Sequence, residues 1–132
     1  MGQIDRASVQ RWLDAYVQAW RTYDPAEISA LFSEDAAYYY GPYDEPVRGR
    51  DTIAQSWVEE GRRDPPGTYD AHYAPLAIES DLAITNGRSR YFQADGTTLK
   101  TEFDNIFQLR FNDAGECVEF HEWYMERPRS KG

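Results

Sequence analysis

Residues 24–40 read DPAEISALFSEDAAYYY, and the spacing of their apolar side chains changes from helical to strand-like within this stretch. Asp24 followed by Pro25 is typical of a helix N-terminus, because the acid caps the first turn and proline fits the first helical position. The spacing predicts a short helix that ends near Ser33, followed by a strand over residues 36–40. The side chains predicted on the buried side of this helix are Ile28, Leu31 and Phe32.

Helices are also predicted before and after this stretch. Residues 8–23 carry aliphatic and aromatic side chains at helical spacing, with Ser8 as the expected N-cap, and residues 51–62 predict a third helix. Beyond a break at residues 63–67, extended segments are predicted over residues 69–80, 82–93, 99–111 and 116–126. This order predicts one α+β domain over residues 1–132, in which the helices pack against one face of a curved antiparallel sheet. The tail after Arg127 is expected to be loose.

Composition narrows the classes of function. The net charge of −9 repels polyphosphates and anionic lipid surfaces, so neither nucleic acid nor a membrane is expected as a partner. The single cysteine, Cys117, fits a protein of the reducing cytoplasm. Aromatic residues make up 15% of the chain, with ten tyrosines and four tryptophans. Because tyrosine and tryptophan combine a large apolar body with a polar group, their excess favours a ligand pocket or an interface.

Four segments of the chain resemble the nuclear transport factor 2-like superfamily, and within it the SnoaL-like and ketosteroid-isomerase-like proteins. The segments are WLDAYVQAW, DPAEISALFSEDAAYYY, PVRGRDTI and RFNDAGECVEFHEWY. The resemblance implies a cone-shaped sheet whose concave face and three N-terminal helices enclose a mostly apolar pocket. It also implies a homodimer formed through sheet surfaces, and a function among isomerases, cyclases, hydratases and other pocket proteins.

Strand alternation predicts which side chains face this pocket, because successive residues point to opposite faces of a sheet. In residues 99–111 the inward set is apolar except for Asn105, and it consists of Phe103, Asn105, Phe107, Leu109 and Phe111. In the last strand the resemblance places Val118, Phe120, Glu122 and Tyr124 inside, and Glu119, His121 and Trp123 outside. The expected ligand contacts are Trp20, Tyr38, Tyr40, Trp57, Asn105, Phe107, Phe120 and Tyr124.

Only part of the ketosteroid isomerase machinery has a match here. Those enzymes use a carboxylate base, an oxyanion tyrosine and a protonated aspartic acid. The tyrosine matches Tyr16, whereas the base position matches Tyr40 and the position of the acid matches Phe107. Because two of the three groups are replaced, steroid isomerisation is not expected. Tyr16 is then either a ligand contact or a core phenol.

Glu122 is the candidate for acid or base chemistry. A carboxyl group held among aromatic side chains is desolvated, and its pKa rises toward neutrality. The alternative is a structural ion pair, because Arg88 and Arg90 lie on the neighbouring extended segment, and either one would hold Glu122 ionised if it pointed inward. His121 is a second candidate base, but alternation sends it to the outer face of the sheet.

Two functions follow from these patterns. The first is a small-molecule pocket protein that binds an apolar ring compound, in which Glu122 moves a proton while Tyr16, Tyr40 or Asn105 polarises an oxygen of the ligand. The second is a non-catalytic dimerisation or protein-binding module, with Trp123, His121 and Tyr91 on the outer face of the sheet. No metal is expected, because His72 and His121 lack ligand-spaced partners, and no cofactor is expected, because phosphate and dinucleotide fingerprints are missing from the sequence.

Overall fold

The computed structural model describes residues 4–61 and 68–128, which form three helices and six strands. The helices are α1 (Arg6–Thr22), α2 (Pro25–Ser29) and α3 (Arg50–Gly61). The strands are β1 (Phe32–Tyr39), β2 (Val47–Arg48), β3 (Tyr69–Glu79), β4 (Leu82–Phe92), β5 (Leu99–Phe111) and β6 (Cys117–Glu126). The predicted break at residues 63–67 and the tail beyond residue 128 lie outside the described residues. Within the described ranges, no helix is long and apolar enough to cross a bilayer.

The strands form one curved, open sheet in the order β2-β1-β6-β5-β4-β3. The helices lie on one face, where α1 packs against β3 and both α2 and α3 pack against β1. The predicted α+β fold is therefore confirmed. The sheet is mixed rather than antiparallel throughout, because β1 runs parallel to β6 while the other neighbouring strands are antiparallel. This parallel pair places a strand from the first third of the chain beside the last strand, so both contribute to one wall.

The first helix begins earlier than its apolar spacing predicts. Its N-cap is Asp5 rather than Ser8: the Asp5 carboxylate accepts a hydrogen bond from the Ser8 backbone N–H at 2.7 Å. In return the Ser8 hydroxyl accepts from the Asp5 backbone N–H at 2.9 Å, which completes a capping box. The helix ends at Tyr23, where a φ of 50° turns the chain toward Asp24, the N-cap of α2.

The second helix is a single turn, shorter than predicted, and the chain is already a strand at Phe32. The Leu31 carbonyl accepts a hydrogen bond from the Cys117 backbone N–H at 3.0 Å, and Phe32 pairs with Cys117 across the parallel strands. These long-range backbone contacts override the local helical spacing, as tertiary context often does. Ile28 and Phe32 are fully buried, as their apolar spacing predicts.

The alternation predicted for β5 is present, while that of β6 is shifted at its start. The buried residues of β5 include Asn105, Phe107, Leu109 and Phe111. A register shift after Arg110 places Cys117, not Val118, opposite Phe111 on the inner face. Cys117 is fully buried and Val118 is only partly buried, so the inward placement of Val118 is wrong. A bulge adds one residue and reverses the alternation locally, which single-strand spacing does not reveal.

Aromatic rings join the helices to the sheet. Trp12 of α1 meets Phe111 of β5 edge to face at 5.7 Å between ring centroids. Phe120 of β6 stacks on Tyr38 of β1 at 4.3 Å and on Tyr16 of α1 at 5.5 Å. Such pairs contribute about 0.5–1.5 kcal/mol each beyond the burial of their surface. Phe120 thus fixes the position of two tyrosines that stand above it.

Candidate functional site

A cavity of about 370 Å³ lies between the inner face of the sheet and the helices. Its volume is within the range of small-molecule pockets. Thirteen of the described residues line it, and ten of them are aromatic: Tyr16, Trp20, Tyr23, Tyr38, Tyr40, Trp57, Tyr73, Tyr91, Phe103 and Tyr124. The other three are Ser89, Asn105 and Glu122. Among the lining residues Tyr124 is the most exposed, at 58%.

Two hydrogen bonds across three adjacent strands hold Glu122 in this cavity. The Ser89 hydroxyl of β4 donates to Asn105 Oδ1 of β5 at 3.0 Å, and Asn105 Nδ2 donates to Glu122 Oε2 of β6 at 3.0 Å. Because Ser89 occupies the amide oxygen, the amide nitrogen is directed to the carboxylate. The other oxygen, Glu122 Oε1, accepts no hydrogen bond from the described residues.

Neither arginine of β4 pairs with Glu122. Arg88 lies 3.5 Å from the Glu102 carboxylate, and Arg90 lies 2.9 Å from the Asp70 carboxylate, on the outer face of the sheet. In residues 4–61 and 68–128, no lysine, arginine or histidine forms an ion pair with Glu122. The structural ion pair that the sequence leaves open is therefore not formed by either candidate arginine.

Burial raises the pKa of Glu122 from 4.5 to about 7, and the hydrogen bond from Asn105 opposes part of this rise. The cause is that the partly buried carboxylate loses much of its hydration in the cavity without gaining a cation in return. Near neutral pH both the acid and the carboxylate are populated. Glu122 can therefore either accept or donate a proton at the pH where most enzymes work.

Two buried phenols stand close together in the same cavity. The hydroxyl oxygens of Tyr16 and Tyr38 are 3.5 Å apart. Burial raises the pKa of both well above 10, and neighbouring negative charge, including that of Glu122, adds to the rise. Both hydroxyls therefore stay protonated at neutral pH. They can donate hydrogen bonds to a ligand oxygen, but they are poor proton carriers themselves.

Eight of the ten site residues predicted from the sequence line the cavity. The exceptions are Phe107 and Phe120, which are fully buried and do not line it. Phe107 packs under Tyr73 at 4.6 Å and Phe120 under Tyr38 at 4.3 Å. Both phenylalanines are on the predicted face of the sheet, but a layer of tyrosines covers them. A guest in the cavity would touch these tyrosines first.

Tyr91 faces the cavity and not the outer face of the sheet, so its predicted place is wrong. Its ring centroid lies 5.9 Å from that of Trp20. Ser89 is paired with Phe103 on the inner face, and Tyr91, two residues further along β4, shares that face. Arg88 and Arg90 alternate with these residues and point outward. Charged residues therefore alternate with uncharged ones along β4, and this alternation is the sequence signal that places Tyr91 on the inner face.

Three lining residues, Tyr23, Tyr73 and Ser89, were not identified from the sequence. Tyr73 and Ser89 both face the cavity, and Ser89 begins the polar chain that runs through Asn105 to Glu122. Gly87 allows the Tyr73 ring and the backbone of β3 to lie close to β4. A Cβ at residue 87 would lie 2.1 Å from the His72 carbonyl oxygen and 2.4 Å from the Tyr73 ring. A glycine inside a strand is a recognised sign of such a close approach.

His121 lies on the outer face, as alternation predicts. Its ring stacks on Tyr39 at 4.2 Å, and its Nε2 is 2.6 Å from a carboxylate oxygen of Glu119. Trp123 continues this row, with ring centroids 6.2 Å apart. The sheet separates His121 from the cavity. In the part of the chain that the structure describes, no three His, Cys, Asp or Glu side chains group as metal ligands.

Comparisons with known proteins agree with this architecture. A structure titled as a protein of unknown function with a cystatin-like fold, from Methylobium petroleophilum PM1, is 20% identical, with 98% of this chain and 83% of that chain covered and a TM-score of 0.63. A structure from Catenulispora acidiphila is 19% identical, with 89% of each chain covered and a TM-score of 0.67. At these identities the likeness shows the fold alone.

One family model matches most of this sequence. The SnoaL-like domain family matches residues 13–120, which include most of α1, strands β1 to β5 and the start of β6. No curated protein matches the chain. The fold, a curved sheet with helices on one face, fits a small-molecule-binding pocket protein. This chain therefore belongs to the SnoaL-like domain family.

Proposed function

We propose that this protein binds an apolar ring compound in the cavity, and that Glu122 removes a proton from this compound and returns one to it. The observation that carries the proposal is a carboxyl group with no basic partner among the described residues, set among ten aromatic lining residues. Aromatic walls favour a ring-shaped guest, and the few polar groups can orient it. The chemistry is of the kind that isomerases, cyclases and hydratases share.

The cavity groups divide the work as follows. Ionised Glu122 removes a proton from a carbon next to a carbonyl group, and the acid then returns a proton to the same or another carbon. Tyr16 and Tyr38 donate hydrogen bonds to the carbonyl oxygen while negative charge develops on it. Asn105 is a positioning residue, because it holds one oxygen of Glu122 and leaves the other directed to the ligand.

Proton exchange on a simple ring ketone tests this proposal without knowledge of the natural substrate. The probe is 2-tetralone in deuterium oxide, with the loss of its α-proton signals followed by NMR. Wild-type protein should accelerate the exchange, and Glu122→Gln should reduce that acceleration by a factor of about 100 or more, as expected for loss of a general base. Glu119→Gln is the matched control, since Glu119 is on the same strand but faces outward.

Binding must be measured beside exchange, since a variant that no longer binds would also lose activity. Saturation-transfer NMR on the same samples reports whether 2-tetralone contacts the protein. We expect both variants to retain binding. Exchange that is equally fast with wild type and Glu122→Gln would remove Glu122 from the mechanism, and absence of binding to the wild type would count against the apolar ring ligand.

We further propose that the chain forms a homodimer through the outer face of the sheet. On that face Ile106, which is 37% exposed, lies opposite Trp123, and exposed apolar residues on a sheet favour association. Sedimentation should show a dimer for the wild type and a monomer for Trp123→Ala, with 2-tetralone binding unchanged. A monomeric wild type would refute the dimer.

The alternative function, a binding module without a small-molecule ligand, would be expected to have a filled core. The cavity of about 370 Å³ does not favour that alternative.

A further inference from the structure

We propose that the ring compound bound here carries a positively charged nitrogen, either a protonated amine or a quaternary ammonium group. The aromatic rings of the cavity enclose this cation, and Glu122 is its counter-ion. The inference rests on the proposed ligand-binding function and narrows the chemical class of the ligand. Aromatic ring faces attract organic cations because the ring quadrupole is negative above the plane.

Aromatic rings in several orientations line the cavity. Trp57 stands at 84° to Tyr16, with ring centroids 5.1 Å apart, and at 74° to Tyr38, with centroids 6.0 Å apart. Near the C-terminus of α1, Tyr91 stands at 69° to Trp20. Rings at steep angles to one another can surround a small cation on several sides, whereas a stacked pair offers only its outer faces. Trp20 and Trp57 both line the cavity, and tryptophan is the strongest of the cation-binding rings.

The charge of the cavity favours a cation over an anion. Glu122 is the only Asp, Glu, Lys, Arg or His among the described residues that line it. The carboxylate of Glu122 accepts a single hydrogen bond, from Asn105. One such bond does not offset the free-energy cost of removing a carboxylate from water. A ligand cation supplies the missing partner, whereas an anionic ligand would be repelled. The net charge of −9 on the whole chain also raises the local concentration of cations.

The counter-ion role of Glu122 is compatible with its proposed role as a base. A cation beside the carboxylate favours its ionised form. The ionised form is the one that accepts a proton from the ligand. An amine-bearing ring compound would therefore bring Glu122 into its reactive state as it binds, whereas a neutral ring compound would leave a larger fraction of the protein with Glu122 protonated.

A pair of probes of the same shape tests the inference in the wild-type protein. The cation is benzyltrimethylammonium, and its neutral counterpart is neopentylbenzene, in which carbon replaces the nitrogen. Binding of both probes is followed by saturation-transfer NMR, and their affinities are taken from titrations. We expect the cation to bind at least about tenfold more tightly than the hydrocarbon, a factor in the range of desolvated cation–π contacts.

Two variants test whether Glu122 causes the preference for the cation. In Glu122→Gln the preference for the cation should fall several-fold while the affinity for neopentylbenzene stays the same. In Glu119→Gln, which changes a carboxylate on the outer face, both affinities should match the wild type. The wild-type comparison of the two probes needs no variant, so the inference stays testable if Glu122→Gln does not fold.

The outcomes separate this inference from the proposed function. Tighter binding of the cation, reduced in Glu122→Gln, supports both. Binding of neopentylbenzene with equal or higher affinity overturns the cationic ligand but leaves the apolar ring ligand in place. If neither probe binds, the cationic ligand is overturned, and the binding of 2-tetralone then decides whether the apolar ring ligand also fails. A cation preference that persists unchanged in Glu122→Gln overturns the counter-ion role.

Discussion

Replacing Glu122 with glutamine should remove a large part of the pH dependence of stability. Burial raises the pKa of this carboxyl from 4.5 in the unfolded chain to about 7 in the folded protein. The folded state therefore holds the proton more tightly, and this contribution to stability is present at low pH and is lost as the pH rises from 4.5 through about 7. Each pKa unit corresponds to 1.36 kcal/mol, so the loss is on the order of 3 kcal/mol. The side-chain amide of the Glu122→Gln variant does not titrate, so this variant should show no such loss.

The assay is urea unfolding followed by tryptophan fluorescence at several pH values between about 4.5 and 8. The free energy of unfolding of the wild type should fall relative to that of Glu122→Gln by on the order of 3 kcal/mol across this range. Glu79→Gln is a suitable control, since its side chain is exposed at the end of β3, and it should follow the wild type. Parallel curves for wild type and Glu122→Gln would refute the account of a desolvated, unpaired carboxyl.

Three further substitutions test the surroundings of this group and the fold. Gly87→Ala should lower the free energy of unfolding by about 1–3 kcal/mol in urea, because the new Cβ would lie 2.1 Å from the His72 carbonyl oxygen; unchanged stability would contradict that close approach. Asn105→Leu should raise the pKa of Glu122 further, because it removes a hydrogen-bond donor to the ionised carboxylate. An NMR titration of the carboxyl carbon measures this pKa, and a lower value than in the wild type would contradict the role of Asn105. Asp5→Ala should cost about 1 kcal/mol of unfolding free energy through loss of the N-cap, and full stability would argue against the capping box.

Alternation within one long strand could be predicted from the sequence. In β5 the apolar and charged residues separate onto two faces, so the inward direction of Phe107 and Leu109 and the outward direction of Ile106 follow from spacing alone. The same rule, anchored by the family resemblance, directs Glu122 to the inner face and His121 to the outer face. Most of the cavity lining is therefore visible in the sequence.

Contacts between distant segments could not be predicted in the same way. The parallel pairing of β1 with β6 shortens α2, and it depends on a strand that lies far along the chain. The register shift that moves Cys117 inward in place of Val118 is set by the pairing with β5. The depth of Phe107 depends on how tyrosines of the helices and strands pack above it. Each of these features is decided by tertiary packing, which the spacing of one element does not contain.

A crystal structure of the protein soaked with 2-tetralone tests the central claim most directly. We expect the bicyclic ring to occupy the cavity, with a carbon next to the carbonyl group facing Glu122 and the oxygen within hydrogen-bonding distance of Tyr16 or Tyr38. A cavity that holds only water at a saturating concentration of the ketone, or a ketone bound solely on the outer face of the sheet, would contradict the claim.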